Sequence, residues 1–338
     1  MQKILIIQTA FIGDVVLATA LIEKLHGYFP DAAIDFLVRK GNEGLLTNHP
    51  LLHEILIWDK KTNKQRNLLK TLGEIRKRKY DKVINVQRFA ATGILTAFSG
   101  AKHTIGFGKN PFSILFSKRI KHLIGNPGES LHETERNQVL IAHFTDDKAA
   151  KPRLYPSASD MEFVKPFISG PFITVSPASV WFTKQYPAEK WISFIQDIPR
   201  EIKVFLLGAP SDIPLCEKIA AELPKDGIMI LAGKLSFLQS AAFMKDAFMN
   251  FVNDSAPLHF ASAMNAPVTA VYCSTIPAFG FGPLSDKSRI VEILHQLSCR
   301  PCGLHGYKAC PLGHFRCAYE IKDAQLIESL NDASSSRI

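Results

Sequence analysis

Four short stretches of this 338-residue chain carry side chains suited to chemistry, and each follows an apolar run. Asp14 stands in TAFIGDVV, just after MQKILIIQ and Gly13. A carboxylate at a strand end beside a helix N-terminus stays ionised, because the helix dipole and free N–H groups favour the anion. It can act there as a general base, or simply cap the helix. The second stretch, SPASVWFTKQYP (176–187), combines Ser179 and Thr183 with Lys184. Hydroxyl donors and a point charge of that kind would bracket phosphates, or form a solvated surface loop. The third, Gly208-Ala-Pro-Ser-Asp212, puts an acid where doubly wound folds hold ribose hydroxyls, and where a helix cap is equally at home.

The fourth stretch is the most specific. It reads Asn253-Asp254-Ser255-Ala256-Pro257-Leu258-His259 and opens an apolar helical pattern. Asp254 and Ser255 suit its cap and Pro257 its first turn, and the free N–H groups there form an anion site. His259 falls one turn in. Ser274 and Thr275, after the next apolar run, add hydroxyls to the same rim.

The elements that must position these residues show in the alternation of patterns. ILIIQ, AIDFLV, EILIW (54–58) and KVINVQ (82–87) read as strands. Helical patterns lie between them, over 15–25, near Asn42 and over 65–78. From about 150 to 170 the pattern loosens into a Pro- and Ser-rich boundary. It then restarts: FITVS (172–176), KVFLLG (203–208), IMIL (228–231), FMNFVN (248–253) and PVTAVY (267–272), with helices expected from 189, 211, 236 and 256. This is the rhythm of two doubly wound parallel sheets, whose ligands collect beyond the carboxyl ends of the strands. Gly13 is expected to make the sharp turn into the first helix. A dinucleotide site would place a series of glycines there, and this chain has one.

The totals agree with that plan. The length fits two domains, and 46% hydrophobic with 21% charged residues is a globular balance. A net charge of +9 favours acidic partners. The nearly uncharged run 252–285 holds Asp254 and four prolines, which suits a buried strand–helix–strand better than a membrane span. The N-terminus lacks a secretory pattern, and the chain reads as cytoplasmic.

Together the stretches resemble glycosyltransferase family 9, the ADP-heptose:lipopolysaccharide heptosyltransferases. The resemblance rests on Gly13-Asp14-Val15, the Lys184 loop and NDSAPLHFASAMNAPVTAVYCSTIP (253–277). That last run is close to the family pattern D-[ST]-[GA]-x-x-H-x-A-x-A-x-x-x-P-x-x-A-x-[FY]-x-x-T-x-P. The resemblance implies a GT-B fold, with two Rossmann-like doubly wound parallel-sheet domains facing a central cleft. Residues 1–160 would bind the acceptor, 161–325 the nucleotide sugar, and 326–338 would be a helix end and frayed tail. By the same resemblance Asp14 is the catalytic base, and Lys184 stabilises the departing diphosphate. Gly13, Ser179, Asp212, Leu235, Asp254, Ser255, Ala256 and His259 complete the donor contacts, Asp212 on the ribose and Leu235 near the adenine. Gln8 and Val180 depart from the family, standing where a basic residue and a second hydroxyl are common. The reaction implied is an inverting displacement with no cofactor and no divalent cation. The partners implied are a nucleotide-sugar donor, a lipid A-core acceptor and an anionic membrane surface, on the inner face of the inner membrane. Two alternatives share the architecture: transfer of another nucleotide sugar to a cell-surface glycolipid, and a nucleotide-sugar epimerase. A non-catalytic binding protein is a third reading, and no nucleic-acid recognition motif is present.

Basic residues concentrate in the first half. One cluster runs from Lys60 to Lys79, and a second joins Lys102, Lys109, Lys118, Arg119 and Lys121 with Phe107, Phe112 and Phe116. Basic residues beside exposed aromatics suit an anionic, partly apolar surface. His132, Glu135 and Arg136 in LHETERN are candidate acceptor or hinge residues. Four of the six cysteines, Cys299, Cys302, Cys310 and Cys317, crowd one stretch with His305 and His314 between them. That spacing admits a structural metal, and equally reduced thiols or a redox-labile pair.

Overall fold

The structure, a computed structural model, describes residues 1–123, 131–224 and 227–335, and the counts below are of those residues. The chain divides into two compact units, Met1–Tyr155 and Pro156–Ile338.

The N-terminal unit contains β1 (Lys3–Ile7), α1 (Ile12–Tyr28), β2 (Ala33–Arg39), β3 (Glu54–Trp58), α2 (Lys64–Arg78) and β4 (Lys82–Asn85). It continues with α3 (Ala90–Ala97), β5 (His103–Phe107), β6 (Lys118–Ile120) and α4 (Glu133–Gln138). The six strands are all parallel, in the order β3-β2-β1-β4-β5-β6. Parallel strands covered on both faces read as continuous apolar runs. Ile4 to Ile7 are accordingly fully buried, as are most positions of α1 from Val15 to Leu25. The order reverses between β1 and β4, which makes their carboxyl ends the switch point of the sheet, where ligands of such folds collect.

Two expectations change here. The helix expected near Asn42 is a single 3₁₀ turn, Glu43–Leu45. Gly13 does not make the turn after β1, because α1 already begins at Ile12 and Gly13 lies within it. Polar side chains hold that turn instead: Gln8 Oε1 accepts from the Ala10 N–H at 3.1 Å, and Asp14 from the Phe11 N–H at 3.2 Å.

The C-terminal unit repeats the plan. It contains α5 (Ala158–Val164), β7 (Phe172–Ser176), α6 (Ala188–Gln196), β8 (Lys203–Leu206), α7 (Ile213–Ala221), β9 (Ile228–Ile230) and α8 (Phe237–Asp246). Then follow β10 (Met249–Asn253), α9 (Ala256–Met264), β11 (Val268–Tyr272), β12 (Ser288–Glu292), α10 (Arg316–Tyr319) and α11 (Asp323–Ser335). Its parallel sheet runs β12-β11-β10-β7-β8-β9, with the switch point between β7 and β10. The two sheets therefore share one topology.

Aromatic packing fixes the second core. Phe243 stacks on Phe172 at 4.7 Å and meets Phe205 edge-on at 4.9 Å. Truncating so enclosed a ring costs about 3–5 kcal/mol. Leu326 and Leu330 of α11 enter a second cluster with Trp191 and Phe194, so the last helix closes the core of this unit. No described helix is long and apolar enough to cross a membrane.

Candidate active site

At the carboxyl end of the first sheet the polar side chains interlock. Thr9 Oγ1 donates to Gln87 Oε1 at 2.6 Å, joining the loops after β1 and β4 across the switch point. Asp14, half-exposed in the first turn of α1, accepts the Phe11 N–H. Negative charge in the first turn is favoured by the helix dipole and by that orphan donor. Lys60 follows β3 and donates to the Thr9 carbonyl at 2.7 Å, with its ammonium 4.8 Å from the Trp58 ring centre. Burial, helped by the charges of Arg39 and Lys64, pulls the Lys60 ammonium down to about 8. Arg39 itself lies 5.4 Å from the exposed Phe11 ring. This end of the sheet thus gathers one carboxylate and several cations.

LHETERN forms the start of α4, which packs on α1. His132 caps α4 by accepting from the Thr134 N–H at 3.2 Å, and Glu135 accepts the His132 N–H at 2.6 Å. Arg136 forks onto Glu133 Oε2, at 2.8 Å from Nε and 2.6 Å from Nη2, in a buried pair. Burial pushes the Glu133 carboxyl up, and the Asp14 charge adds to this against the opposing Arg136. Nothing in the sequence position of Glu133 marks it apart from the neighbouring acids.

The second basic cluster differs from expectation in its aromatics. Phe107 and Phe116 are buried, and Phe116 lies against Gly106, where a Cβ would come within 2.6 Å of the ring. The exposed apolar pair is Ile114 and Leu115, flanked by exposed Lys109, Lys118, Arg119 and Lys121.

In the C-terminal unit, every donor-site candidate on that side falls beyond a strand's carboxyl end or at the helix start that follows. Ser179 and Lys184 follow β7, Asp212 follows β8, Leu235 follows β9, and Asp254, Ser255, Ala256 and His259 follow β10. Lys184 Nζ lies 2.7 Å from Asp254 Oδ2, with both side chains largely shielded from solvent. Thr275 donates to the same oxygen at 2.6 Å. Asp254 is thus occupied with Lys184 and Thr275, and it does not cap α9. Ser255 holds the N-cap position, but its hydroxyl bonds the Asn253 carbonyl at 3.3 Å and makes no capping bond. The capping expected of these two residues is not seen. The α9 start is thus without a side-chain cap; Pro257 has no N–H and the Leu258 N–H donates to the Ser255 carbonyl at 3.1 Å. What this end presents beside the Lys184–Asp254 pair is the positive pole of the helix dipole, which favours anions. His259 is buried one turn in, its ring 6.4 Å from Phe281.

Asp212 Oδ2 accepts the Ala209 N–H at 2.8 Å, and the turn closes so tightly that a Cβ on Gly208 would meet Asp212 Cβ at 2.8 Å. Leu235 is half-buried in the turn between β9 and α8. Ser179 is half-buried, and its carbonyl accepts from Gln185 at 2.7 Å.

Three positioning groups escaped sequence reading. Asn253 donates to the Pro177 carbonyl at 2.7 Å and accepts the Tyr186 N–H at 2.9 Å, so one amide clamps both ends of the Lys184 loop at the switch point. Tyr307 pairs through its backbone with Thr183, its N–H on Thr183 Oγ1 at 2.8 Å and its carbonyl on the Thr183 N–H at 3.1 Å. Gly306, at φ +73°, lies against Thr183, Lys184 and Ser274. Only the asparagine's adjacency to Asp254 was a signal; the other two act through the backbone.

One set of metal-ligand types lies within 4.8 Å among the described residues: Asp35, His53 and Glu54. It is compensated by protein groups. Arg78 forks onto Glu54 at 2.6 and 3.0 Å, Tyr80 donates to Asp35, and His53 Nδ1 is 2.9 Å from Asp35.

Residues 68–308 match the sequence profile of glycosyltransferase family 9 (heptosyltransferase). The chain is 24% identical to the lipopolysaccharide core heptosyltransferase OpsX of Haemophilus influenzae over 307 residues, 87% of this chain and 85% of that protein. Among solved structures it is similar to the E. coli ADP-heptose LPS heptosyltransferase II, with TM-score 0.82 and 22% identity, covering 99% of both chains. It is similar also to a family 9 glycosyl transferase from Veillonella parvula, with TM-score 0.85 and 20% identity over 98% of this chain and 97% of that one. These structural likenesses are of fold: two parallel six-stranded units of the GT-B type.

Proposed function

We propose, from the premise that this chain belongs to glycosyltransferase family 9 and is a glycosyltransferase, that it adds a heptose from ADP-heptose to the inner core of lipopolysaccharide. The observation that carries this reading is the Lys184–Asp254 pair beside the uncapped start of α9. A fixed ammonium and the positive end of a helix dipole suit a diphosphate whose negative charge grows as it leaves.

In this reading the acceptor hydroxyl attacks the anomeric carbon from the face opposite the diphosphate, in one inverting step. Asp14 takes the hydroxyl proton as the new bond forms. The electron pair of the broken bond departs with ADP, and Lys184 with the α9 dipole meets that charge. Asp212 would hold the ribose and Leu235 the adenine. Gly13, Ser179, Ser255, Ala256 and His259 would complete the donor contacts. In this reading Lys184 and the helix end take the part that a divalent cation would otherwise play. Lys60, Arg39 and Lys64 would meet the acidic groups of a lipid A-core acceptor. Ile114 and Leu115, with exposed Lys109, Lys118, Arg119 and Lys121 on either side in the sequence, would rest on the anionic cytoplasmic face of the inner membrane.

The deciding experiment incubates the protein with ADP-heptose, with and without a heptose-deficient lipopolysaccharide core, and follows ADP release and acceptor mass. Gain of one heptose only with acceptor, unchanged by a chelator, is expected. Conversion of the donor alone would favour the epimerase reading. Failure to bind ADP-heptose would sink the donor assignment.

A further inference from the structure

The two strands that meet at the switch point of the first sheet end alike. Ile7 of β1 and Asn85 of β4 are partners in the ladder. Two residues beyond each, Thr9 and Gln87 bond one another at 2.6 Å. Two residues further still stand Phe11 and Phe89, each at the N-cap position of the helix that follows, α1 and α3. That position favours short side chains that accept a hydrogen bond, and phenylalanine offers none. Both rings also face solvent, at 53% and 57% exposure. One exposed ring is ordinary on a protein surface. Two at matching positions, beside the point of the sheet where ligands collect, mark a binding surface.

The backbone beneath the rings is held firmly. On the first turn the Asn42 amide donates to the Ala10 carbonyl at 3.0 Å, and Lys60 to the Thr9 carbonyl at 2.7 Å. On the second, the buried Asn110 amide donates to the Gln87 and Phe89 carbonyls at 3.1 and 3.0 Å. Gly93 makes room for it, since a Cβ there would collide with the Asn110 side chain. Arg39 lies over the Phe11 ring, 5.4 Å from its centre. The two rings are therefore presented on fixed turns with cations beside them, and ordering them costs a ligand little.

Resting on the reading above, that this end of the sheet receives the acceptor, we propose that Phe11 and Phe89 position it. Their rings stack on the C–H faces of the acceptor's terminal sugar, while Arg39 and Lys60 meet its anionic groups. A sugar ring presents an apolar, weakly positive C–H face, which suits the negative face of an aromatic ring. Stacking of this kind fixes the tilt of the sugar, and with it the direction of the attacking hydroxyl. Asp14 sits one turn beyond Phe11 and accepts its N–H at 3.2 Å, so ring and base are set by the same turn. A general base works only when the hydroxyl is brought within hydrogen-bond reach.

The test uses a heptose-deficient core oligosaccharide freed of its acyl chains, titrated into the full chain by calorimetry without donor. The wild type should bind it. Phe11→Ala and Phe89→Ala should each raise its Kd roughly five- to tenfold. Melting temperature and ADP affinity should stay unchanged, because both rings are exposed. Phe11→Trp and Phe89→Tyr keep a flat ring and should bind as the wild type does. Phe11→Leu and Phe89→Leu are apolar without being flat and should not. In transfer assays the alanine variants should raise the Michaelis constant for acceptor by the same factor and leave that for ADP-heptose alone. A wild type that does not bind the oligosaccharide overturns the proposal, as do alanine or leucine variants that bind it normally. Alanine variants weakened only toward the acylated acceptor would assign the rings to lipid, and a lowered melting temperature with weaker ADP binding would make them structural; either overturns it. Ring-dependent oligosaccharide binding without any transfer would uphold these contacts and sink the heptosyl-transfer reading instead.

Discussion

The Lys184 ammonium and the Asp254 carboxylate lie 2.7 Å apart, one on the loop after β7 and the other at the end of the adjacent strand β10. The pair spans the switch point of its sheet, and the neighbouring Asn253 amide clamps the Lys184 loop in place. Removing one partner of a shielded pair strands the other charge, which costs about 3–5 kcal/mol when burial is complete. Lys184→Met is therefore expected to lower the melting temperature and to reduce transfer on the order of 10²–10³-fold. Asp254→Asn leaves Lys184 a neutral acceptor and should lose less of both. Equal losses of kcat in the two variants would mean that the pair is only structural.

Asp14→Asn separates chemistry from architecture at the first helix. The amide oxygen can still accept the Phe11 N–H, so α1 keeps its first turn, while the base is gone. Transfer is expected to fall about 10²–10⁴-fold with the dissociation constant of ADP-heptose unchanged. A variant that transfers normally would return Asp14 to being a helix-end residue.

The strands were the most legible part of the sequence, for a physical reason. Parallel strands buried on both faces leave continuous apolar runs, and FITVS, buried at every position, matches β7 residue for residue. Two of the edge strands leave no such run. KRI of β6 and SRIVE of β12 are short and polar, and they form only because β5 and β11 offer them a ladder. The candidate donor residues could be named because side chains carry them. What their side chains do was less visible, since Asp254 and Ser255 look like caps and are engaged elsewhere. Gly306 and Tyr307 hold Thr183 through backbone atoms, and a backbone hydrogen bond leaves no trace in residue type.

In the proposed reading Lys60 sets a pH limit on acceptor binding. Its pKa is held below the ordinary lysine value, at about 8, so the side chain loses its charge as pH rises through that point. The Michaelis constant for an anionic acceptor should then increase above pH 8, by at most about tenfold per pH unit. Lys60→Arg should flatten the profile, since guanidinium stays charged throughout. A wild-type profile flat to pH 9.5 would remove Lys60 from acceptor binding.

Ile114 and Leu115 supply the apolar part of the proposed membrane contact, at 78% and 53% exposure. Ile114→Ser with Leu115→Ser is expected to abolish pelleting with anionic vesicles while leaving the melting temperature unchanged. High salt should weaken wild-type pelleting, because Lys109, Lys118, Arg119 and Lys121 contribute through screened charge. Undiminished pelleting by the double variant would place the contact elsewhere.

Gly306 tests whether the segment after Cys302 shapes the phosphate site. An added methyl group there would lie 2.9 Å from Thr183 Oγ1, 3.0 Å from Lys184 Cγ and 3.2 Å from Ser274 Oγ, all closer than ordinary contact. The backbone at φ +73° also disfavours any side chain. Gly306→Ala must therefore displace either its own loop or Lys184. Where Lys184 gives way, its ammonium leaves the position that Asp254 defines; where the loop gives way, Thr183 loses the Tyr307 backbone beside it. ADP should bind at least about tenfold more weakly by calorimetry, a loss of roughly 1.4 kcal/mol, while far-UV circular dichroism stays that of the wild type. Gly303→Ala, three residues earlier, also meets a left-handed backbone, but its nearest neighbour is the Tyr307 hydroxyl at 3.6 Å. It should cost stability without a comparable loss of ADP affinity. If the two variants weaken ADP equally, the effect is general loosening of the loop, and the contact of Gly306 with Lys184 has no special part in binding.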